Sequence, residues 1–382
     1  MDSWDTEERR LLRETVRRFS EREVLPHLAE WEAAGSVPRE LHRKTAEAGL
    51  LGIGFPESVG GSGGTPIDAF VVAEELILSG ASSGLVAALF THGIGLPHLV
   101  TAGDPALVDR VARPVLAGER IVSLAITEPD GGSDVAGIRT RAVVDGDDYV
   151  VSGAKLYITS GTRADFITTA VRTGGDGAGG ISLLVIDSSA PGVTVSAPLA
   201  KMGWLCSDTA GITFDEVRVP RANLVGAEGT GFLQIVGQFA AERLSIAVQA
   251  YATAQRCLDL SIAWTRQRET FGRPLASRQV VAHRLAEMAR DVDVARTYTR
   301  AVTDDWLAGD DVLMRVAMAK NTAVAACDRV VDAAVQLHGG MGYMRECEVE
   351  RHYRDSRILG IGGGTTEIMT EIVAKLLLAR LA

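Results

Sequence analysis

One carboxylate stands out chemically along this chain. In GFLQIVGQFAAERLSIAVQAYATAQRCLDLSIAWTRQRE the only charged residues between Glu228 and Arg256 are Glu242 and Arg243, and the segment has no proline. Apolar residues go nearly all the way round, the pattern of a helix buried on most sides. Glu242 has Gln238, Phe239, Ser245 and Ile246 three and four residues away, so it has no ion-pair partner within the helix. Such a carboxylate either pairs with a distant group or lines a cavity. Burial raises a carboxyl pKa, which suits a group that takes up a proton. A purely structural Glu–Arg arrangement fits the same pattern.

Two further kinds of segment have the composition of ligand contacts. LAITEPDGGSDVAG joins an apolar run to small and hydroxyl residues, where backbone N–H groups with the Thr127 and Ser133 hydroxyls could cradle a polar ring edge or a pyrophosphate. KLYITSGT puts Tyr157 on an expected strand, where its ring could cover a planar group. Two later glycine clusters, VQLHGGMGYM and RILGIGGGTTEIM, lack the G-x-G-x-x-G spacing between strand and helix, which argues against a Rossmann fold. Arg268 in RQRETFG is a possible phosphate ligand. Each of these also reads as an ordinary loop, core or surface residue.

The elements that must position these groups fall into three regions. Helical spacing runs over 1–121 in LLRETVRRFSEREVLPHLAEWEAAG, PRELHRKTAEAGLL and PIDAFVVAEELILSG, broken by Gly/Pro loops. Short β-rich runs with turn residues between them occupy 122–224. The helical period returns over 225–382. The fold class expected is mainly α with a central β domain.

Composition narrows the function classes. With 46% hydrophobic and 23% charged residues over 382 positions, the chain has ample material for a core. A net charge of −10 with scattered basic residues argues against nucleic acid as a partner. Four cysteines without C-x-x-C or disulfide-like spacing fit a reduced, cytoplasmic setting, and the charged start has no signal-peptide core. No run of 18 or more apolar residues predicts a membrane span, and the seven histidines lack metal-ligand spacing, so no metal is expected.

Taken in order, EELILSGAS, AITEPDGGSDVAG, GAKLYITSG, MGWLCSDTAGITFDEVRVPRANLVG, RQRETFGRPLASRQ, AVQLHGGMGYM and YRDSRILGIGGGTTEI resemble the acyl-CoA dehydrogenase family across nearly the whole chain. The resemblance implies an N-terminal helical domain, a middle β-barrel-like domain and a C-terminal four-helix bundle, assembled as a homotetramer with FAD across a subunit interface. Leu124, Ile126, Thr127, Gly132 and Ser133 would meet the flavin, with Tyr157, Ile158 and Thr159 from the second block. Arg268, Thr270, Phe271 and Gln279 of a neighbouring subunit, with Gln336, Leu337 and Gly340, would reach its pyrophosphate and adenosine, and Thr365 and Glu367 would complete the adenosine end. Ser133 and Arg243 would bear on the substrate.

The departure from the family pattern is informative. Most members carry the base in a Tyr-Glu-Gly-Thr run, and here Gly362, Gly363, Gly364 and Thr365 stand there. A minority, typified by isovaleryl-CoA and long-chain acyl-CoA dehydrogenases, place it on the helix in a Glu-Arg-Leu run, which matches AERL with Glu242. The reaction implied is α,β-dehydrogenation of an acyl-CoA to the trans-2-enoyl-CoA. Glu242 would take the α-proton, flavin N5 the hydride, and the Gly363 N–H would polarise the thioester carbonyl. The electron acceptor implied is an electron-transfer flavoprotein. A flavin monooxygenase or oxidase on the same fold, a non-catalytic subunit of a heteromer, and a carrier-protein-bound acyl substrate are the competing readings. Small residues at Ala87, Ala88, Gly93, Gly95, Ala247 and Ala250 permit a long or branched acyl chain without specifying one.

Overall fold

The computed structural model describes residues 3–379. Helices fill the chain as far as Arg113–Leu116, strands run from Val122 to Pro220, and helices resume at Gly231. In the first region Glu7–Phe19 and Pro66–Leu78 pack together. The second of these starts with a capping box, Thr65 with Asp68, and Pro66 at its first position, where a missing N–H costs nothing. Its hydrophobic run is apolar on nearly every face because the long helix Gly231–Gln267 packs against it as well.

The strands are β1 (Val122–Ala125), β2 (Arg141–Asp145), β3 (Asp148–Thr159), β4 (Phe166–Arg172), β5 (Ile181–Asp187), β6 (Val193–Val195) and β7 (Thr209–Pro220). They form one seven-stranded sheet in the order β1-β4-β2-β3-β7-β6, with β5 paired to the other side of β4. β1 runs parallel to β4 in the register Val122↔Phe166 to Ala125↔Thr169, whereas β3 and β7 are antiparallel. The sheet curls around a core of Tyr149, Val151, Ile167, Leu184, Ile186, Phe214 and Val217. The barrel-like middle domain implied by the resemblance is thus a curled sheet.

The C-terminal region is a bundle of Gly231–Gln267, Gln279–Leu307, Leu313–His338 and Thr366–Ala379, with Glu348–Ser356 packed against it. Gly231–Gln267 runs 37 residues without a break and contacts the other two long helices of the bundle. Its all-round apolar sequence has this burial as its cause. Among the described residues, no single helix is long and apolar enough to cross a membrane.

Candidate active site

Glu242 sits on the long helix, half-buried, opposite the turn Gly362–Gly364 that precedes the last helix. Gly363 and Gly364 adopt φ of +63° and +96°, a left-handed path that glycine takes without a Cβ penalty. A Cβ built on Gly363 would stand 3.7 Å from Glu242 Oε1 and 2.6 Å from Ile246 Cδ1. Among the described residues Glu242 has neither a hydrogen-bond nor an ion-pair partner. Burial pushes its pKa up, and Arg243 and Lys320 pull only partly the other way. The structural Glu–Arg pair that the sequence left open does not form.

Arg243, expected at the substrate and to orient nearby groups, is bound to the turn. It is 4% exposed, its Nε donates to the Gly363 carbonyl at 3.2 Å, and its guanidinium lies 4.4 Å from the centroid of the Phe239 ring. Its guanidinium is thus held between the turn and the Phe239 ring. Lys320 reaches the same turn from the helix Leu313–His338. It is 1% exposed, and its Nζ donates to the Gly362 carbonyl at 2.6 Å and to the Gly364 carbonyl. Burial, with Arg243 close by, lowers the Lys320 pKa to about 8, against the opposing pull of Glu242. The sequence reading missed Lys320, although it carries the same signal as Glu242: it is the only charge between Arg315 and Asp328.

The first two sequence blocks meet at the edge of the sheet. Leu156 N donates to the Thr127 carbonyl at 2.9 Å, and the Ser123 hydroxyl donates to the Thr159 carbonyl at 2.8 Å. These bonds bring Leu124, Ile126 and Thr127 beside Tyr157 and Thr159, and a Cβ on Gly132 would contact Thr127 Cγ2 at 3.4 Å. Tyr157 is not a regular strand residue. It sits at φ +60° in a bulge between Lys155 and Ile158, and its ring is 65% exposed. Ile158 is buried in the sheet core, while Gly132 and Ser133 are exposed.

A buried ion pair holds this edge in place. Lys155 Nζ donates to Glu128 Oε1 at 2.9 Å and to the Ile126 carbonyl at 3.0 Å. Glu128 also accepts from Thr140 N, the Thr140 hydroxyl and Arg139 N. Burial alone would raise the Glu128 pKa, but the Thr140 hydroxyl and Lys155 hold it at about 2. Lys155, the more deeply buried partner, is lowered by desolvation to about 8 despite the carboxylate.

The remaining predicted residues gather elsewhere. Arg268 ends the long helix, and the hairpin after it carries Thr270 and a 97% exposed Phe271. Arg278 donates to the Thr270 carbonyl at 2.7 Å and lies over the Phe271 ring, and exposed Gln279 starts the next helix. Trp264 links this tip to the third group, since its Nε1 donates to the Leu337 carbonyl at 3.2 Å and its ring stacks on His338. Gln336 and Gly340 are exposed on either side. At 1.5 Å per residue, Arg268 lies roughly 39 Å along the helix from Glu242. Thr365 and Glu367 lie at the Glu242 end, where the Thr365 hydroxyl accepts from Ile368 N at the start of the last helix.

The small residues expected to permit a long or branched acyl chain fall into two groups. Ala88, Ala247 and Ala250 are fully buried in the helical core, and Gly95 packs on Val122. The three alanines allow close packing in the helical core, and Gly95 lets its segment lie against β1. Ala87 and Gly93 keep accessible surface, and a Cβ on Gly93 would meet nothing within 4 Å.

Comparison with known proteins matches three family models in order. They are the acyl-CoA dehydrogenase N-terminal domain over 6–119, middle domain over 123–217 and C-terminal domain over 229–378. The chain belongs to the acyl-CoA dehydrogenase family. It is 37% identical to the mitochondrial long-chain specific acyl-CoA dehydrogenase of Sus scrofa, over 96% of this chain and 85% of that one. A probable acyl-CoA dehydrogenase of Mycobacterium abscessus superposes with a TM-score of 0.98 at 65% identity, covering 98% of this chain and 100% of the other. The acyl-CoA dehydrogenase of Bacillus anthracis complexed with FAD superposes at 0.90 and 28% identity, over 99% of this chain and 68% of that chain. Among the described residues of this family member, no cluster of three or more His, Cys, Asp or Glu side chains could hold a metal ion.

Proposed function

We propose that this acyl-CoA dehydrogenase uses FAD to convert an acyl-CoA thioester to its trans-2-enoyl product, with Glu242 as the base that removes the α-proton. The observation that carries this reading is the unpartnered, half-buried Glu242 carboxylate facing the Gly362–Gly364 turn. An α-hydrogen next to a thioester is weakly acidic, so its removal needs a placed base and a stabilised enolate-like charge. A carboxyl whose pKa is raised is a stronger proton acceptor once ionised, and no internal cation holds this one in a pair.

FAD fits the residues present. The exposed Tyr157 ring beside the Thr127 loop offers a flat apolar face next to polar backbone, the surface a flavin ring needs. Leu124, Ile126, Thr127, Gly132, Ser133, Tyr157, Ile158 and Thr159 would hold its ring end. Bound FAD supplies the acceptor for the β-hydrogen, which leaves as hydride. The Gly363 N–H would polarise the thioester oxygen, and preorganised donors of this kind are worth several kcal/mol.

The separation of Arg268 from Glu242 along one helix supports a second copy of the chain supplying Arg268, Thr270, Phe271 and Gln279 to the same cofactor, within a homotetramer. The family implies an electron-transfer flavoprotein as acceptor. The test is anaerobic mixing of the FAD-loaded protein with a series of straight and branched acyl-CoA thioesters. Bleaching of the flavin absorbance by at least one of them, lost in Glu242→Gln, is the expected result. No bleaching by any thioester, or bleaching by the variant at full speed, would remove the assignment.

A further inference from the structure

Lys320 captures two carbonyls of one three-residue turn, and Arg243 captures the carbonyl between them. Two buried cations therefore take three consecutive peptide oxygens, Gly362, Gly363 and Gly364. In a trans peptide the C=O and the following N–H lie in one plane and point in opposite directions, and none of the peptides here is cis. When the Gly362 oxygen turns inward to Lys320, the Gly363 N–H must turn outward. Among the described residues no acceptor takes that N–H. The same geometry turns the Gly364 N–H away from Arg243.

We propose that Lys320 is a positioning residue: by holding the Gly362 and Gly364 carbonyls it aims the Gly363 N–H at the thioester oxygen of the substrate. This rests on the dehydrogenase reading above. Two adjacent glycines with positive φ have no side chains to fix their peptide planes and many conformations to lose. An external clamp is what such a turn needs to act as a preorganised donor. Charge-assisted bonds to an ammonium are stronger than neutral ones, and a buried lysine without its carbonyls would be left unsatisfied, so the clamp and the turn fix each other. The charged groups bearing on Lys320 are Glu242 and Arg243 of the long helix.

The test uses the FAD-loaded enzyme and a CoA thioester that cannot be dehydrogenated, para-dimethylaminocinnamoyl-CoA. Its absorbance moves to the red when its carbonyl is polarised, so it reports the donor without any reaction. In Lys320→Met the red shift is expected to be lost and the limiting rate of flavin reduction by a good acyl-CoA to fall about 10-fold or more. Thioester binding should weaken less than the rate does. Lys320→Gln, which keeps one donor of similar reach, should fall between, and Lys320→Arg should restore much of the shift.

Glu242→Gln separates the two claims, because it should keep the red shift while losing reduction. If that variant reduces at full speed, the base assignment fails and Lys320 is still judged on the red shift alone. A wild-type shift and rate in folded Lys320→Met or Lys320→Gln overturns the proposal. So does failure of both to fold or hold FAD, since Lys320 would then act through stability.

Discussion

Glu242 Oε1 lies 3.7 Å from the point where a side chain on Gly363 would begin. The helix carboxylate therefore lies next to where a side chain on the turn would start, so on the proposed reading the base could be supplied from either element. The same geometry shows why exchanging the two positions is not free. A Cβ at 363 would stand 2.6 Å from Ile246 Cδ1, and a non-glycine residue at φ +63° costs about 1–2 kcal/mol. Glu242→Gln is expected to keep FAD and slow flavin reduction about 10²–10⁴-fold. Adding Gly363→Glu should recover little of that loss until Ile246 is also cut to Val or Ala. Stopped-flow reduction across the three variants measures this, and full recovery in the double variant would show that Ile246 is no obstacle.

A raised pKa for Glu242 also fixes the sign of a stability effect. The folded protein holds the Glu242 proton more tightly than the unfolded chain. Stability from this group is thus present at low pH and falls as pH rises from the ordinary carboxyl value of 4.5 through the raised one. Glu242→Gln removes the desolvated charge, so it should raise the melting temperature at pH 8, and by only about 1 °C for each kcal/mol gained in a chain of this length. The gain should shrink toward pH 4. Equal gains at both pH values, read by thermal melts, would count against burial as the cause. For activity the sign is opposite, since reduction should slow as pH falls and Glu242 becomes protonated.

The helix–sheet–helix order was legible because it needs only local periodicity, and Glu242 was legible because a charge on an all-round apolar helix demands a reason. What sequence could not supply was non-local partners. Arg243 and Gly363 are 120 positions apart, and Lys320 and Gly362 are 42 apart, so nothing near Arg243 shows that its guanidinium is already taken. Tyr157 read as a strand residue and does lie in β3, but its left-handed φ was not legible. Its bulge arises where β3 shifts register against β7, which is a property of the pair. Small residues at Ala88 and Ala250 are fully buried in the fold, a placement that the size of a side chain alone does not reveal.

The Lys155–Glu128 pair should matter for cofactor retention more than for catalysis. Breaking a buried pair by removing one partner costs roughly 3–5 kcal/mol, because the other charge stays desolvated. Lys155→Met also frees the Ile126 carbonyl, which anchors the segment leading to Thr127. Lower thermal stability and a reduced FAD-to-protein ratio are expected, measured by melting curves and absorbance. With Glu128 held at about 2 and Lys155 at about 8, the wild-type pair is intact between the ordinary carboxyl value of 4.5 and about 8, and the Glu128 contribution is lost as pH falls toward 2.

Tyr157 offers a test in which stability and function part company. Its φ of +60° is strained for a residue with a Cβ, and an exposed ring gains little from packing. Tyr157→Gly removes about 1 kcal/mol of strain at this position. The melting temperature of the FAD-free protein should hold or rise while affinity for FAD falls, as followed by equilibrium titration of the apoprotein with flavin. Unchanged affinity would mean that the ring covers no part of the cofactor.

The hairpin tip makes the last expectation, one about assembly. Arg268 has no acidic neighbour taking its guanidinium among the described residues, and Phe271 beside it is 97% exposed with only Arg278 over its ring. If a second copy places both at its cofactor, the two substitutions should behave differently. Arg268→Ala removes a charge-assisted contact worth about 1.5–3 kcal/mol, so FAD should bind about 10–100-fold more weakly with the oligomer intact. Phe271→Ala leaves that charge but removes the exposed apolar surface, so it should shift the oligomer toward smaller species at low protein concentration. Light scattering after gel filtration and FAD titration on the same samples separate the two effects. Native mass and native affinity in both variants would leave the hairpin without a partner and return Arg268 to an ordinary solvated helix end.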